Sequence, residues 1–404
     1  ELPSGILDIL LESAISVNIN SIAIVGGIVR DIITKSKNKD YEIAFNDLDL
    51  IIEGEATKFV QELHNILGSN RIKVIRNNTA YKTSEITIDG IKVDIASARE
   101  ETYPIPGENP IVKSSTIKND LIRRDFNINA MAIELKESKL IDLFSGLDAI
   151  SNMKIDFLHE SSVLDDPTRM IRASRYSAKL GFDLSQKALK QIQNTINLWP
   201  WNWHIGDKPD LAPSALSIRL RMELELLFKC NSWKKALRNL QEWGVLKIVD
   251  LKLQNDKNLL EKIFVAMESN IEPLTAFIYE ADNPLYLAER LHLSQKQKEI
   301  IEGANQLNQY LKDIKSNHLY INWSPSKWTN VLEEINVNES SFILEICSNN
   351  PLKKYLSSWL YNWKNIESPV KGNDLIAKGW ESGPELGIEI ERQRMKLIDE
   401  KNII

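Results

Sequence analysis

Asp47 and Asp49 stand one residue apart at the start of an apolar run, and Gly26-Gly27 with Arg30 and Asp31 precedes them. On a β-strand, residues i and i+2 point to the same side, so the two carboxylates are expected to converge. Paired hard oxygen ligands of this kind suit Mg²⁺. The glycines follow the apolar run Ile22 to Val25. They let backbone N–H groups approach a phosphate at a helix N-terminus. This order of strand, glycine turn, helix start and Asp-x-Asp strand can hold a triphosphate and its metal ions. Each half also reads as ordinary loop chemistry, since short glycine and acidic motifs are weak alone.

Two further constellations carry chemistry. In Arg123-Arg124-Asp125-Phe126-Asn127-Ile128-Asn129, paired arginines suit phosphate oxygens and the Asp can accept from ribose hydroxyls. A surface salt-bridge cluster before a strand is the other reading. In Asp165-Asp166-Pro167-Thr168-Arg169-Met170-Ile171-Arg172-Ala173-Ser174-Arg175-Tyr176, Pro167 suits a first helical position and Asp166 an N-cap. Asp166, Arg169, Arg172 and Arg175 then recur every third residue along one helix face. Asp only accepts hydrogen bonds and Arg only donates, so the pair can match an exocyclic amino group beside a ring acceptor, as on cytosine and adenine. The N-cap role and the base-reading role are compatible. Between these motifs, Asp94 ends a strand ahead of a polar Pro/Gly-containing loop of about twenty residues, a length that is usually functional. In one register Asp94 is a third carboxylate near the metals.

The elements that must position these groups divide the chain. Up to about residue 150, helical periods at 4–17 and 57–67 mix with β-rich runs at 21–25, 47–52, 72–76, 84–88, 91–96, 130–135 and 139–143. Asp89-Gly90 carries a hairpin signal. Beyond residue 150 the pattern turns helical, at 167–181, 185–196, 214–229 and 232–243 and onward, interrupted by the aromatic segment Trp199 to His204. The fold expected from the residues is an α/β sheet head followed by an all-helical remainder.

Composition sets bounds. The 404 residues are 43% hydrophobic and 26% charged, with net charge −6, which argues against a uniformly basic nucleic-acid binder but allows a local basic groove. No apolar run reaches about 18 residues, and no basic-then-apolar leader opens the chain, so neither membrane span nor signal peptide is expected. Two distant cysteines, Cys230 and Cys347, point to a reducing compartment, and a cytoplasmic setting follows. The five histidines show no metal-ligand spacing.

Taken in order, the motifs resemble the class II tRNA nucleotidyltransferases and the related bacterial poly(A) polymerases. The family pattern runs Gly-Gly-x-Val-Arg-Asp, Asp-x-Asp and Arg-Arg-Asp-Phe-x-x-Asn-Ala. A Gly-x-x-Asp segment (here Gly146 to Asp148 with Asp142 upstream) and Glu-Asp-x-x-Arg-x-x-Arg-Ala-x-Arg-Phe follow. A helix Arg-x-x-x-Glu-Leu comes next, here Arg219 to Leu224, and Gly372 to Ile376 with Gly383 to Gly387 looks like a C-terminal family element. The resemblance implies an α+β fold: a polymerase-β-like nucleotidyltransferase head with a mixed sheet over 1–150, then an all-α neck (151–245), body (246–335) and tail (336–404).

It also implies an enzyme that adds C and/or A from CTP or ATP to the acceptor end of tRNA, without a template and by two-metal phosphoryl transfer. Asp47 and Asp49 would hold Mg²⁺. Gly26, Gly27 and Arg30 would contact triphosphate, with Arg124, Asp125 and Asn129 at the phosphates and ribose. Asp166 and Arg169 would read the base, supported by Arg172 and Arg175. The neck, body and tail would grip tRNA by shape. Three departures from the pattern stand out: the Lys35 to Asp40 insertion, Asp165 in place of Glu, and Ile218 where relatives often carry Glu. Poly(A) addition to other RNAs and an inactive RNA-binding relative are the alternatives. The first calls for a strongly basic C-terminal extension and the second for a broken Asp-x-Asp. Neither feature is present. The product (CCA, CC only or A only) and the oligomeric state are left open.

Overall fold

A computed structural model describes residues 5–43, 47–78, 81–198, 214–316, 319–348 and 350–401. The Trp199 to His204 segment lies outside the described residues. The chain forms two compact units, residues 1–248 and 249–404.

The first unit is built on a seven-stranded mixed sheet of order β3-β4-β5-β2-β1-β8-β9. Its strands are β1 (Ile22–Val25), β2 (Asp47–Ile52), β3 (Ile72–Asn78), β4 (Thr83–Ile88), β5 (Ile91–Ser97), β8 (Met131–Glu134) and β9 (Lys139–Asp142). β2 and β5 are parallel and the other pairs antiparallel. Residues Asp89 and Gly90 both take positive φ (49° and 84°), the conformation a two-residue hairpin of this type demands. The expected strands and the mixed sheet are present.

Period-2 alternation gives the sheet two unlike faces. Leu48, Leu50, Ile86, Ile88, Val93 and Ile95 are buried on one side. Helix α3 (Ala56–Leu67) packs on β3, β4 and β5. Its Phe59, Val60, Leu63 and Leu67 are spaced to form one apolar stripe and are all buried. Each such side chain contributes about 1.5–3 kcal/mol on full burial. The other face is covered at β1, β2 and β8, where Ala23, Val25, Ile51 and Ala132 meet Ile117 and Leu121 of helix α4 (Ile117–Ile122). Where β2 begins, that face is open and carries Asp47 and Asp49. Ahead of α3, α1 (Ile6–Ser16) and α2 (Gly27–Lys37) flank β1.

Residues expected to form a long loop after Asp94 are more ordered than that. β5 runs on to Ser97, and β6 (Arg99–Thr102) pairs with β7 (Ile111–Ser114) as an antiparallel ribbon. Its hydrophobic alternation is weak. Its order comes instead from charge: Arg99 and Arg123 both donate to Glu101, and Arg123 also reaches the fully buried Asp120. After β9 come α5 (Gly146–Ser151), α6 (Ser162–Asp165), α7 (Thr168–Leu180), α8 (Gln186–Asn197), α9 (Ser214–Lys229) and α10 (Trp233–Glu242). α7 packs against both α9 and α10.

The second unit is helical. Pro273, Pro284 and Pro325 occupy first turns, and Glu272, Asn283 and Ser324 before them accept from backbone N–H groups. One core, containing Leu307, Trp328, Phe342, Leu356, Trp359, Trp363 and Ile398, runs across the boundary expected between body and tail. Among the described residues no helix is long and apolar enough to cross a membrane.

Candidate active site

Asp47 lies at the exposed start of β2 and Asp49, half-buried, two residues further on, on the same face by strand alternation. Gly26, at the β1–α2 turn, has φ 79° and ψ −142°, backbone that glycine tolerates and other residues do not. A Cβ there would sit 2.9 Å from Asp49 Oδ2. The turn therefore needs glycine twice over, for its dihedrals and for the close approach of the carboxylate. Gly27 opens α2, so its amide and its neighbours' sit at a positive helix end.

Burial, then the charge of Asp47, pushes the Asp49 carboxyl up to about 6, opposed by Arg124. Asp94 lies beside Asp49 in the β2–β5 register, and its ion pair is with Lys92 at 3.6 Å. No group of three or more His, Cys, Asp or Glu among the described residues converges tightly enough to hold a metal. Two carboxylates on one strand face, with the charge of Asp47 adding to the upward shift of Asp49, fit a divalent cation whose remaining positions would fall to phosphate oxygens.

A cleft of about 380 Å³ extends from Asp49 and is lined by Gly26, Gly27, Arg124, Asp125, Asn129, Asp166, Arg169 and Arg172, together with Arg99, Glu101, Tyr103, Arg123 and Tyr176. All three sequence constellations thus reach one cavity. Arg124 is held by the buried Asp120 at 3.2 Å, leaving its guanidinium beside Gly26.

Other expected site residues have their polar atoms committed to the protein. Arg30 is only 3% exposed, donates to Asp31 (2.8 Å) and Asn129 (2.7 Å), and lies 5.4 Å from the Tyr176 ring centre. Asp125 accepts from the Phe126 amide (2.8 Å) and Asn129 (3.2 Å) and pairs with Arg172 at 2.9 Å. Burial alone would raise the Asp125 carboxyl; Arg172, Asn129, Arg169 and the Phe126 amide outweigh it and hold it below the usual range.

Asp166 precedes α7 and caps it. Its Oδ1 accepts from the Thr168 amide (3.2 Å) and hydroxyl (2.7 Å), and Oδ2 makes no hydrogen bond among the described residues. Arg169 is buried; it donates to Ser162 and, at 2.8 Å, to the Arg123 carbonyl. These bonds use Nη1 and part of Nη2, leaving Nε–H as a donor. The ladder's other charges are met from α9, where Glu223 faces Arg172 (3.6 Å) and Arg175 (3.1 Å).

Two neighbours of the ladder belong to a motif read in the sequence but were given no part in the site there. Glu223 and Arg219 sit in the Arg-x-x-x-Glu-Leu helix, but their facing toward α7 depends on tertiary packing. Arg219 donates to the Gly107 carbonyl (2.6 Å) and Asn109 (3.3 Å), and its Nε lies 3.6 Å from Asp166. It ties the tip of the β6–β7 ribbon to Asp166.

Residues 22–156 match the poly(A) polymerase head domain. The chain is 33% identical over 244 residues to the A-adding tRNA nucleotidyltransferase of Aquifex aeolicus, covering 60% of this chain and 27% of that protein. It is 30% identical over 292 residues to the CC-adding tRNA nucleotidyltransferase of Deinococcus radiodurans, covering 70% of each. A solved CCA-adding enzyme, in its apo form II, shares the fold with TM-score 0.72 at 24% identity, over 98% of this chain and 93% of that one. The chain belongs to the tRNA nucleotidyltransferase and poly(A) polymerase family. It spans about a quarter of the length of the Aquifex relative.

Proposed function

We propose that this protein is a template-independent nucleotidyltransferase that adds C, A or both from CTP and ATP to the 3′ end of tRNA. The observation that carries the reading is that Asp166 and Arg169 share one cleft with Asp49, Gly26 and Arg124. A donor–acceptor wall beside a carboxylate and phosphate site is what nucleotide choice without a template requires.

In this reading the triphosphate lies against the Gly26–Gly27 amides and Arg124. Asp47 and Asp49 hold Mg²⁺, which when bound neutralises phosphate charge and activates the attacking hydroxyl. The RNA 3′-oxygen bonds to the α-phosphorus, its proton passes to water, and pyrophosphate leaves. Asp166 Oδ2 accepts from the base's exocyclic amino group and Arg169 Nε donates to the adjacent ring acceptor. On the Watson–Crick edge uracil and guanine lack that pairing, because each presents a ring N–H donor where cytosine and adenine present a ring acceptor. Asp125, Arg30 and Asn129 act as positioning residues: Asp125 fixes Arg172, and Arg30 fixes Asn129. Arg175 and Glu223 brace Arg172 from behind. A cytoplasmic setting accords with the free thiols of Cys230 and Cys347.

The test is primer extension on tRNAs ending before CCA, after CC and at CCA, with CTP and ATP singly and together. Extension of at least one of the first two, with none at completed CCA, is expected. Absence of incorporation into all three, or untemplated runs of A on any RNA offered, would contradict the reading.

A further inference from the structure

A row of polar residues crosses the sheet away from Asp49, outside the nucleotide cleft. In strand register Asp49 lies beside Asp94, Asp94 beside Glu85, and Glu85 beside Arg76 at the sheet edge. Neighbouring strands are about 4.8 Å apart, so the row extends about 14 Å. β3 carries an irregularity between Val74 and Arg76. Regular alternation from Lys73 would bring Ile75 and Asn77 to this face. The extra residue shifts the phase and brings Arg76 and Asn78 there instead.

A second cleft of about 380 Å³ follows this row, lined by Arg76, Asn78, Thr83, Glu85 and Asp94, with Asp49 and Arg124 at its inner end. Asp49 and Arg124 also line the nucleotide cleft. Two clefts that meet on one carboxylate suit a transfer between two substrates, in which the attacking oxygen must enter opposite the leaving pyrophosphate. The charges suit an RNA strand. Lys92 bridges Glu85 (3.1 Å) and Asp94 (3.6 Å), moderating their repulsion of phosphate. Arg76 is exposed and makes no ion pair or hydrogen bond among the described residues. The carboxylates can accept from ribose 2′-hydroxyls, which mark RNA.

We propose that this trough seats the single-stranded 3′ end of the acceptor RNA, with Arg76 on a backbone phosphate and Glu85 and Asp94 accepting from ribose hydroxyls. The inference rests on the transferase reading above and names where its second substrate lies.

The experiment compares RNA affinity of the wild-type chain, Arg76→Ala and Arg76→Lys by fluorescence anisotropy. Two acceptor minihelices are used, one ending in a single-stranded CC tail and one trimmed flush. Arg76→Ala should weaken binding of the tailed RNA about tenfold or more, the scale of one hydrogen bond to a charged group, and of the flush RNA less than twofold. Arg76→Lys should recover most of the loss. Tailed-RNA affinity within twofold of wild type, or equal losses on both RNAs, overturns the trough. Nucleotide incorporation by the wild type is measured alongside. Its absence overturns the transferase reading, while the anisotropy comparison judges the trough independently.

Discussion

A methyl group on Gly26 would lie 2.9 Å from Asp49 Oδ2, so the turn backbone and the strand carboxylate are built against each other. Gly26→Ala is expected to lose at least a hundredfold in kcat, because both the turn and Asp49 must move. The strained φ and the clash should cost stability of about 1–3 kcal/mol. Steady-state kinetics with a denaturant titration separates the two effects. Wild-type activity in this variant would remove the close approach from the account.

Asp47→Ala and Asp49→Ala are each expected to abolish incorporation while RNA affinity stays within twofold of wild type. In the proposed function the carboxylates serve the metal and triphosphate, and the grip on RNA lies elsewhere. Divalent-ion titration should show weakened binding in both variants. Retained turnover in either would sink the metal assignment.

The Asp125–Arg172 pair carries a pH signature. The Asp125 carboxyl is held below its ordinary 3.8 in the folded chain. A depressed carboxylate contributes stability that is present above its unfolded pKa and is lost as pH falls through the folded pKa. Asp125→Asn should therefore cost roughly 3 kcal/mol near pH 7, and the difference from wild type should shrink below pH 3.8. Denaturant midpoints at a series of pH values check this. A difference that grows on acidification would reverse the assigned sign.

The sheet and the cleft were legible in the sequence to different degrees. β1, β2, β4 and β5 could be read because apolar alternation and Asp89-Gly90 act locally. The Asp-x-Asp spacing likewise placed Asp47 and Asp49 on one face, since alternation alone decides it. The β6–β7 ribbon was hidden because Arg99, Glu101 and Arg123 order it through charge, and its partners Arg123 and Arg219 lie 22 residues from Glu101 and 112 from Gly107. The spacing put Asp166 and three arginines on one helix face without showing which protein groups meet their charge. Glu223 from α9 meets much of that charge, and no helical spacing reveals which neighbouring helix will face it. The phase shift ahead of Arg76 is equally invisible, because a bulge is fixed by strand pairing rather than by composition.

The account stands most directly on Asp166. Its capping oxygen is used by Thr168, and the other is assigned to the base. The measurement is the ratio of kcat/KM for the preferred nucleotide to that for UTP and GTP, in wild type and Asp166→Ala, on the tRNA the wild type extends. A base-directed hydrogen-bond pair supplies about 1–3 kcal/mol of discrimination, so the ratio should fall about tenfold or more, while inhibition by inorganic triphosphate stays unchanged. An unchanged ratio, with activity lost uniformly for every nucleotide, would contradict base reading by this wall.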